Sequence, residues 1–162
     1  MEKKVFEDEF SSIQVDMIQI CMEYAYDKAE KIYIYVSYES KTTFCDYFYK
    51  MNGEVIKRSK LNEFDTTCDV SIKRQEECLD ILFEDIKKLK HLCKEYDMEM
   101  PTEIKLTYDV INNQVSAGYS YDLMYSKDPE LTGHDIAEQW FEQVKKSEQE
   151  TTCLLQNPSK KK

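Results

Sequence analysis

The sequence is poor in the residues that interrupt regular structure. Three glycines and three prolines in 162 residues leave little room for irregular loops, so long helices and strands joined by short turns are expected. Glycine stands only at 53, 118 and 133, which makes a backbone phosphate cradle hard to build. No Walker loop, G-x-G-x-x-G, G-x-S-x-G or EF-hand spacing is present either. No apolar run is long enough to span a bilayer. The opening MEKKVFEDEF carries charges where a secretory leader needs an apolar stretch, so the chain is expected to stay in the cytoplasm. No close C-x-x-C pair occurs among Cys21, Cys45, Cys68, Cys78, Cys93 and Cys153. Their scatter over apolar faces predicts reduced thiols acting as small core residues rather than three disulfides.

What is present is a sizeable core and an excess of acid. Hydrophobic residues make up 41% and aromatics 12% of the chain, and one domain of this length buries about 70% of the surface that its unfolded chain exposes. Asp and Glu number 32 against 22 Lys and Arg, a formal charge of −10. That balance repels nucleic acid and anionic membrane, and it suits a basic protein partner or plain solubility. From Ser147 onward Glu148 and Glu150 stand against Lys160, Lys161 and Lys162, so the acidity belongs to the body of the chain.

Periodicity divides the chain into eight elements. Phe6, Phe10, Ile13, Met17, Ile20 and Tyr24 recur every three or four residues and predict a helix over about 5–29. Ile32, Ile34, Val36 and Tyr38 alternate with Tyr33, Tyr35 and Ser37, the period of a strand. A second strand over 44–50 meets a third over 54–58 through Asn52-Gly53, the pair that a two-residue hairpin turn favours. Ser71 caps a long helix whose face carries Leu79, Leu82, Phe83, Ile86, Leu89, Cys93 and Tyr96. Met100-Pro101 ends it. Ile104 to Val110 and Val115 to Tyr121 form a second hairpin. Thr132 with Asp135 three residues on resembles a capping box for a last helix that turns Ile136, Trp140 and Val144 inward. The order α-β-β-β-α-β-β-α predicts an α+β fold in which a mainly antiparallel five-stranded sheet packs against helices. It occupies a single domain over 1–147, with a flexible tail over 148–162.

Catalytic and metal chemistry find little support. His91 and Cys93 lie two apart on a helix and face different ways. His134 and Glu138 at i, i+4 could reach one ion, but Asp135 beside them is already explained by the helix macrodipole. No cysteine-hydrolase signature surrounds any thiol. The expectation is a non-enzyme without metal or cofactor, with a small enzyme built around His134 as a remote alternative. The unusual feature is twelve tyrosines interleaved with carboxylates, in YESKTTFCDYFYK, KEYD, TYDV and YSYDLMYSKDPE. Tyrosine offers rigid apolar area plus one hydroxyl, and neighbouring carboxylates can meet Lys or Arg across a contact.

The segment FEDIKKLKHLCKEYDMEMPTEIKLTYDVINNQVSAGYSYD resembles the YezG-like immunity proteins of bacteria. The shared pattern is a helix ending near Lys94-Glu95, a loop with Pro101-Thr102, an alternating strand, and a second strand closing on Tyr121-Asp122. The IYIYVSYESKTTFCDYFYK hairpin and the Trp140 helix also fit, so the likeness covers most of residues 5–146. It implies a cytoplasmic antitoxin that neutralises a secreted toxin by binding its effector domain, which for a nuclease would be basic. No catalytic residue is implied. Tyr47, Tyr49, Tyr121, Asp122, Asp128 and Glu130 are the residues expected to meet such a partner. A structural or adaptor protein that assembles through its sheet edge or its helices is the alternative.

Overall fold

The computed structural model describes residues 2–156, with side-chain surroundings for 4–151. Its elements are α1 (Glu2–Tyr24), β1 (Lys31–Glu39), β2 (Thr42–Met51), β3 (Glu54–Lys57), a 3-10 helix (Arg58–Glu63), α2 (Ile72–Glu95), β4 (Glu103–Asp109), β5 (Gln114–Ser120) and α3 (Gly133–Gln156). The expected α+β order therefore holds in a single domain. The 3-10 helix falls between the third strand and Ser71, where the periodicity predicts no element.

The strands form one sheet in the order β3-β2-β1-β4-β5, every neighbouring pair antiparallel. Two-residue turns set the registers of the β1–β2 and β2–β3 hairpins. Asn52 and Gly53 take φ of 51° and 80°, as the Asn-Gly pair predicts. Ser40 and Lys41 do the same at 50° and 63° between the paired Glu39 and Thr42, a turn that these residue types do not advertise. α1 ends before Ala29, because Tyr26 and Asp27 enter left-handed φ of 54° and 58°. Its last carbonyls are not left unpaired: the Arg74 guanidinium donates to Tyr24 O at 2.7 Å and to Glu23 O at 3.0 Å. Ser71 caps α2 as expected, its hydroxyl accepting from Arg74 N.

Helices cover both faces of the sheet. On one, α1 and α2 enclose Ile32, Ile34, Val36, Tyr47, Tyr49, Ile56, Ile104 and Leu106 in the larger core. On the other, α3 lays Ala137, Trp140 and Phe141 over Tyr33, Tyr35, Phe48 and Val55, with Trp140 edge-on to Phe48 at 5.2 Å. Gly133 permits the close start of α3, since a Cβ there would fall 2.8 Å from the Cβ of Phe44. Cys21, Cys45, Cys68, Cys78 and Cys93 are free and buried, in keeping with their expected place as core residues. Cys153 lies beyond the described side chains. No helix among the described residues is long and apolar enough to cross a membrane.

The break expected at Glu148 is not there. α3 runs on to Gln156, and residues 157–162 of the expected tail lie outside the described residues. Lys31 and Lys50 are cross-strand partners, like charges that repel when set opposite one another. Glu148 resolves this by accepting from Lys31 Nζ at 2.7 Å and from Lys50 Nζ at 2.8 Å, and Tyr33 Oη donates to it at 3.2 Å. Burial pushes the Glu148 carboxyl up, but the two ammonium groups outweigh it and hold the pKa below the usual glutamate value. Its stabilisation is therefore present above the unfolded-state pKa and is lost as pH falls through the lower folded one. Asp85 shows the opposite sign. It is buried on α2 with Oδ2 unpaired among the described residues, and burial, reinforced by Asp16 on α1, raises its pKa.

Two outcomes follow from these acids. Glu148→Ala restores the Lys31–Lys50 repulsion and should cost about 1 kcal/mol after solvent screening, read as a lower Tm together with new proteolytic cutting beyond residue 147. Asp85→Asn removes a charge held at a loss, so Tm at pH 7 should rise. The gain should vanish below about pH 4, where the wild-type carboxyl is protonated in both states.

Candidate partner-binding surface

The six residues singled out as partner contacts separate into three places. Tyr47 and Tyr49 are 1% and 0% exposed. The alternation of β2 that puts them on one face puts them on the α1–α2 face. The Tyr47 ring stands edge-on to Tyr24 at 5.3 Å and beneath the Arg58 guanidinium at 5.0 Å. Tyr49 Oη donates to the carbonyl of Cys21 at 2.6 Å. Burial raises both phenol pKa values. These two tyrosines are core residues and cannot reach a partner, which corrects the expectation.

Tyr121 and Asp122 are exposed where the chain leaves β5. Tyr121 borders a groove of about 240 Å³ floored by Phe6, Phe10, Met98, Pro101 and Tyr119, with Glu7 and Glu99 also in its lining. Gln14 Nε2 donates to Tyr119 Oη at 2.9 Å and fixes that wall. Thr102 Oγ1 donates to the Asp122 carbonyl at 2.5 Å.

Asp128 and Glu130 lie in the segment that carries the chain from β5 to α3. Its position is set by a buried acid at the end of β1. The Glu39 carboxylate accepts the backbone N–H groups of Met124 at 2.8 Å, Tyr125 at 3.4 Å and Ser126 at 3.1 Å, and the Ser126 hydroxyl at 2.7 Å. Burial pushes Glu39 up, and these four donors more than reverse the shift, leaving its pKa lowered. Asp128 Oδ1 then accepts from Glu130 N at 2.9 Å. The capping box read from Thr132 and Asp135 is formed: Thr132 N donates to Asp135 Oδ2 at 2.8 Å, and Asp135 N donates to Thr132 Oγ1 at 3.3 Å.

Fixed in this way, Glu130 meets the outer side of α3. An open groove is lined by Glu130, Leu131, His134, Asp135, Glu138, Gln139, Glu142 and Gln143, four carboxylates with no Lys or Arg. Asp135 is engaged as the cap, and Glu138 is held by Lys57 at 2.5 Å. Glu130 and Glu142 make no side-chain hydrogen bond or ion pair among the described residues and present their charge outward. Sequence reasoning missed Glu142, although its spacing of four from Glu138 and seven from Asp135 placed all three on one helical side opposite Trp140. A cleft of about 170 Å³ lies nearby, between β2–β3 and α3, and holds Asp46, Arg58, Gln75 and His134. Its charges are matched internally, Asp46 with Arg58 and Lys57 with Glu138. His134 and Glu138 therefore do not act as a pair. Among the described residues no three of His, Cys, Asp and Glu are placed so that they could hold a metal ion.

No family model matches this chain, and no curated protein does. The described surface carries an acidic groove along the outer side of α3 and a mainly apolar one beside β5. Tyr49→Phe should lower stability by about 1 kcal/mol through the lost hydrogen bond, checked by urea unfolding. Glu130→Lys and Glu142→Lys should each shift it by no more than about 0.5 kcal/mol.

Proposed function

We propose that the chain is an immunity-type inhibitor, one that neutralises the effector domain of a secreted toxin by binding it, as the resemblance to YezG-like proteins implies. The observation that carries this reading is the groove along the outer side of α3, where Glu130 and Glu142 stand outward and no cation lines the walls. A toxin acting on nucleic acid has a positive surface around its site, and the formal charge of −10 would draw it in before contact. The inhibitor then blocks the site by occupying it. On this reading Asp128 and Glu130 are partner contacts, joined by Glu142.

Electrostatic attraction of this kind acts on the association rate. In the test, the chain is co-purified with the product of the gene next to its own, and binding kinetics are followed as NaCl is raised. Association should slow with salt, and the double variant Glu130→Lys/Glu142→Lys should slow it by roughly tenfold or more with folding unchanged. Binding that neither salt nor this variant affects removes the acidic strip from the interface. Absence of any complex removes the inhibitor reading.

A further inference from the structure

The two edges of the sheet are unequally protected. β3 has only four residues, Glu54–Lys57, starts and ends on a charge, and leads directly into the 3-10 helix. Shortness and charge are the usual devices that keep an edge from pairing. β5 has neither. It is seven residues long and bonded only to β4 among the described residues, so alternate N–H and C=O groups along its other side face solvent. Six of its seven residues are exposed, and Ser120 is half-buried.

The composition of this edge is as unusual as its openness. Residues 110–121, VINNQVSAGYSY, contain no charge in a chain that is 33% charged, and no other charge-free run in the sequence is as long. Large apolar side chains cluster at its two ends. Ile111 is 76% and Val115 51% exposed near the start, and Tyr119, Tyr121 and Leu123 are 45–50% exposed near the finish. A foreign basic partner would find no carboxylate along this strand to recognise. Two copies of a chain with charge −10 repel through most of their surface, and this neutral strip is where they can approach.

We propose that β5 is a self-pairing edge through which two copies of the chain join. A two-fold axis perpendicular to the sheet passes at Ala117, the midpoint of Gln114–Ser120, and the two β5 strands run antiparallel into one ten-stranded sheet. The symmetry is self-consistent. Ala117 meets its own copy, Val115 lies opposite Tyr119 of the second copy, Gln114 lies opposite Ser120, and Ile111 is carried towards the end where Tyr121 and Leu123 emerge. Side chains that meet lie on the same face, because directly paired residues share a face. Exposed apolar residues at opposite ends of one strand are thereby brought together, which the isolated chain leaves unexplained. This pairing does not depend on the inhibitor reading, since the strip on α3 lies at the other edge of the fold, over β2 and β3.

Sedimentation equilibrium of the purified full chain tests it without any partner. Wild type should sediment at twice the chain mass, and the dimer should tighten as NaCl is raised, since salt screens the repulsion between like-charged copies. A complex with a basic partner responds in the opposite direction. Ala117→Lys sets two ammonium groups across the two-fold axis at an exposed position, and it should give a folded monomer by circular dichroism and sedimentation. Ala117→Cys should form a disulfide-linked dimer on oxidation by copper–phenanthroline and oxygen, while wild type, with no cysteine in the strand, gives none at that site. The proposal is overturned by a wild type that stays monomeric up to about 0.1 mM, or by a dimer that Ala117→Lys leaves intact. Should Ala117→Lys fail to fold, the near-isosteric Ala117→Cys decides by its cross-link.

Discussion

β1 is buried on both faces, and the rest of the architecture answers to that. Ile32, Ile34 and Val36 on one side and Tyr33 and Tyr35 on the other are all nearly inaccessible. A strand in the middle of an antiparallel sheet can leave one side to water only if that side is polar. Here neither side is, so helices must cover both. α1 and α2 supply one cover through the continuous core that also takes in Tyr47 and Tyr49. α3 supplies the other through Trp140 and Phe141. The tyrosines of β1 are the part of this arrangement that demands polar care. Tyr33 Oη reaches Glu148, and Tyr35 Oη donates to the buried Glu103 at 2.7 Å. The second core is therefore sealed by acids at its edges rather than by apolar residues alone.

That arrangement explains where the acidity goes. Glu39, Glu103 and Glu148 are used internally, each meeting donors that the fold brings to it. Asp135 caps a helix, and Glu138 pairs with Lys57. After these assignments Glu130, just before α3, and Glu142, on it, are the carboxylates of the groove that remain outward. α3 is tied to the rest of the fold by the Thr132–Asp135 box at its start and by Glu148 along its length. Rigid placement of surface charge makes attraction specific in orientation as well as in sign. The neutral β5 edge and the acidic α3 strip thus lie at opposite ends of one sheet and suit chemically different neighbours.

Much of the fold could be read from the chain because its signals were local. The alternation of Ile32 to Tyr38, the Asn52-Gly53 turn, the Ser71 cap and the Thr132–Asp135 box each depend on residues within a few positions of one another. Signals that fail are those whose cause is distant. Tyr47 and Tyr49 read as surface anchors because tyrosine suits an interface as well as a core, and only the approach of α1 and α2 decides between the two. Glu148 read as the start of a tail because the apolar period fades there. Its partners, Lys31 and Lys50, are about a hundred residues away, and their cross-strand pairing is what calls for an acid at that point on α3. The 3-10 helix after β3 likewise rests on one buried residue, Leu61, too little to form a period.

The sequence by itself determined the kinds of element, their order, the excess of negative charge and the charge-free stretch over 110–121, since all of these are properties of composition and short-range spacing. Only the tertiary structure decided that the sheet order is β3-β2-β1-β4-β5, leaving that neutral stretch on an open edge, and that Glu39, Glu103, Glu138 and Glu148 have internal partners. The physical reason is the same in each case. Pairing between strands and between charges is settled by which surfaces the two cores bring together, and burial reaches across the chain in a way that periodicity does not record.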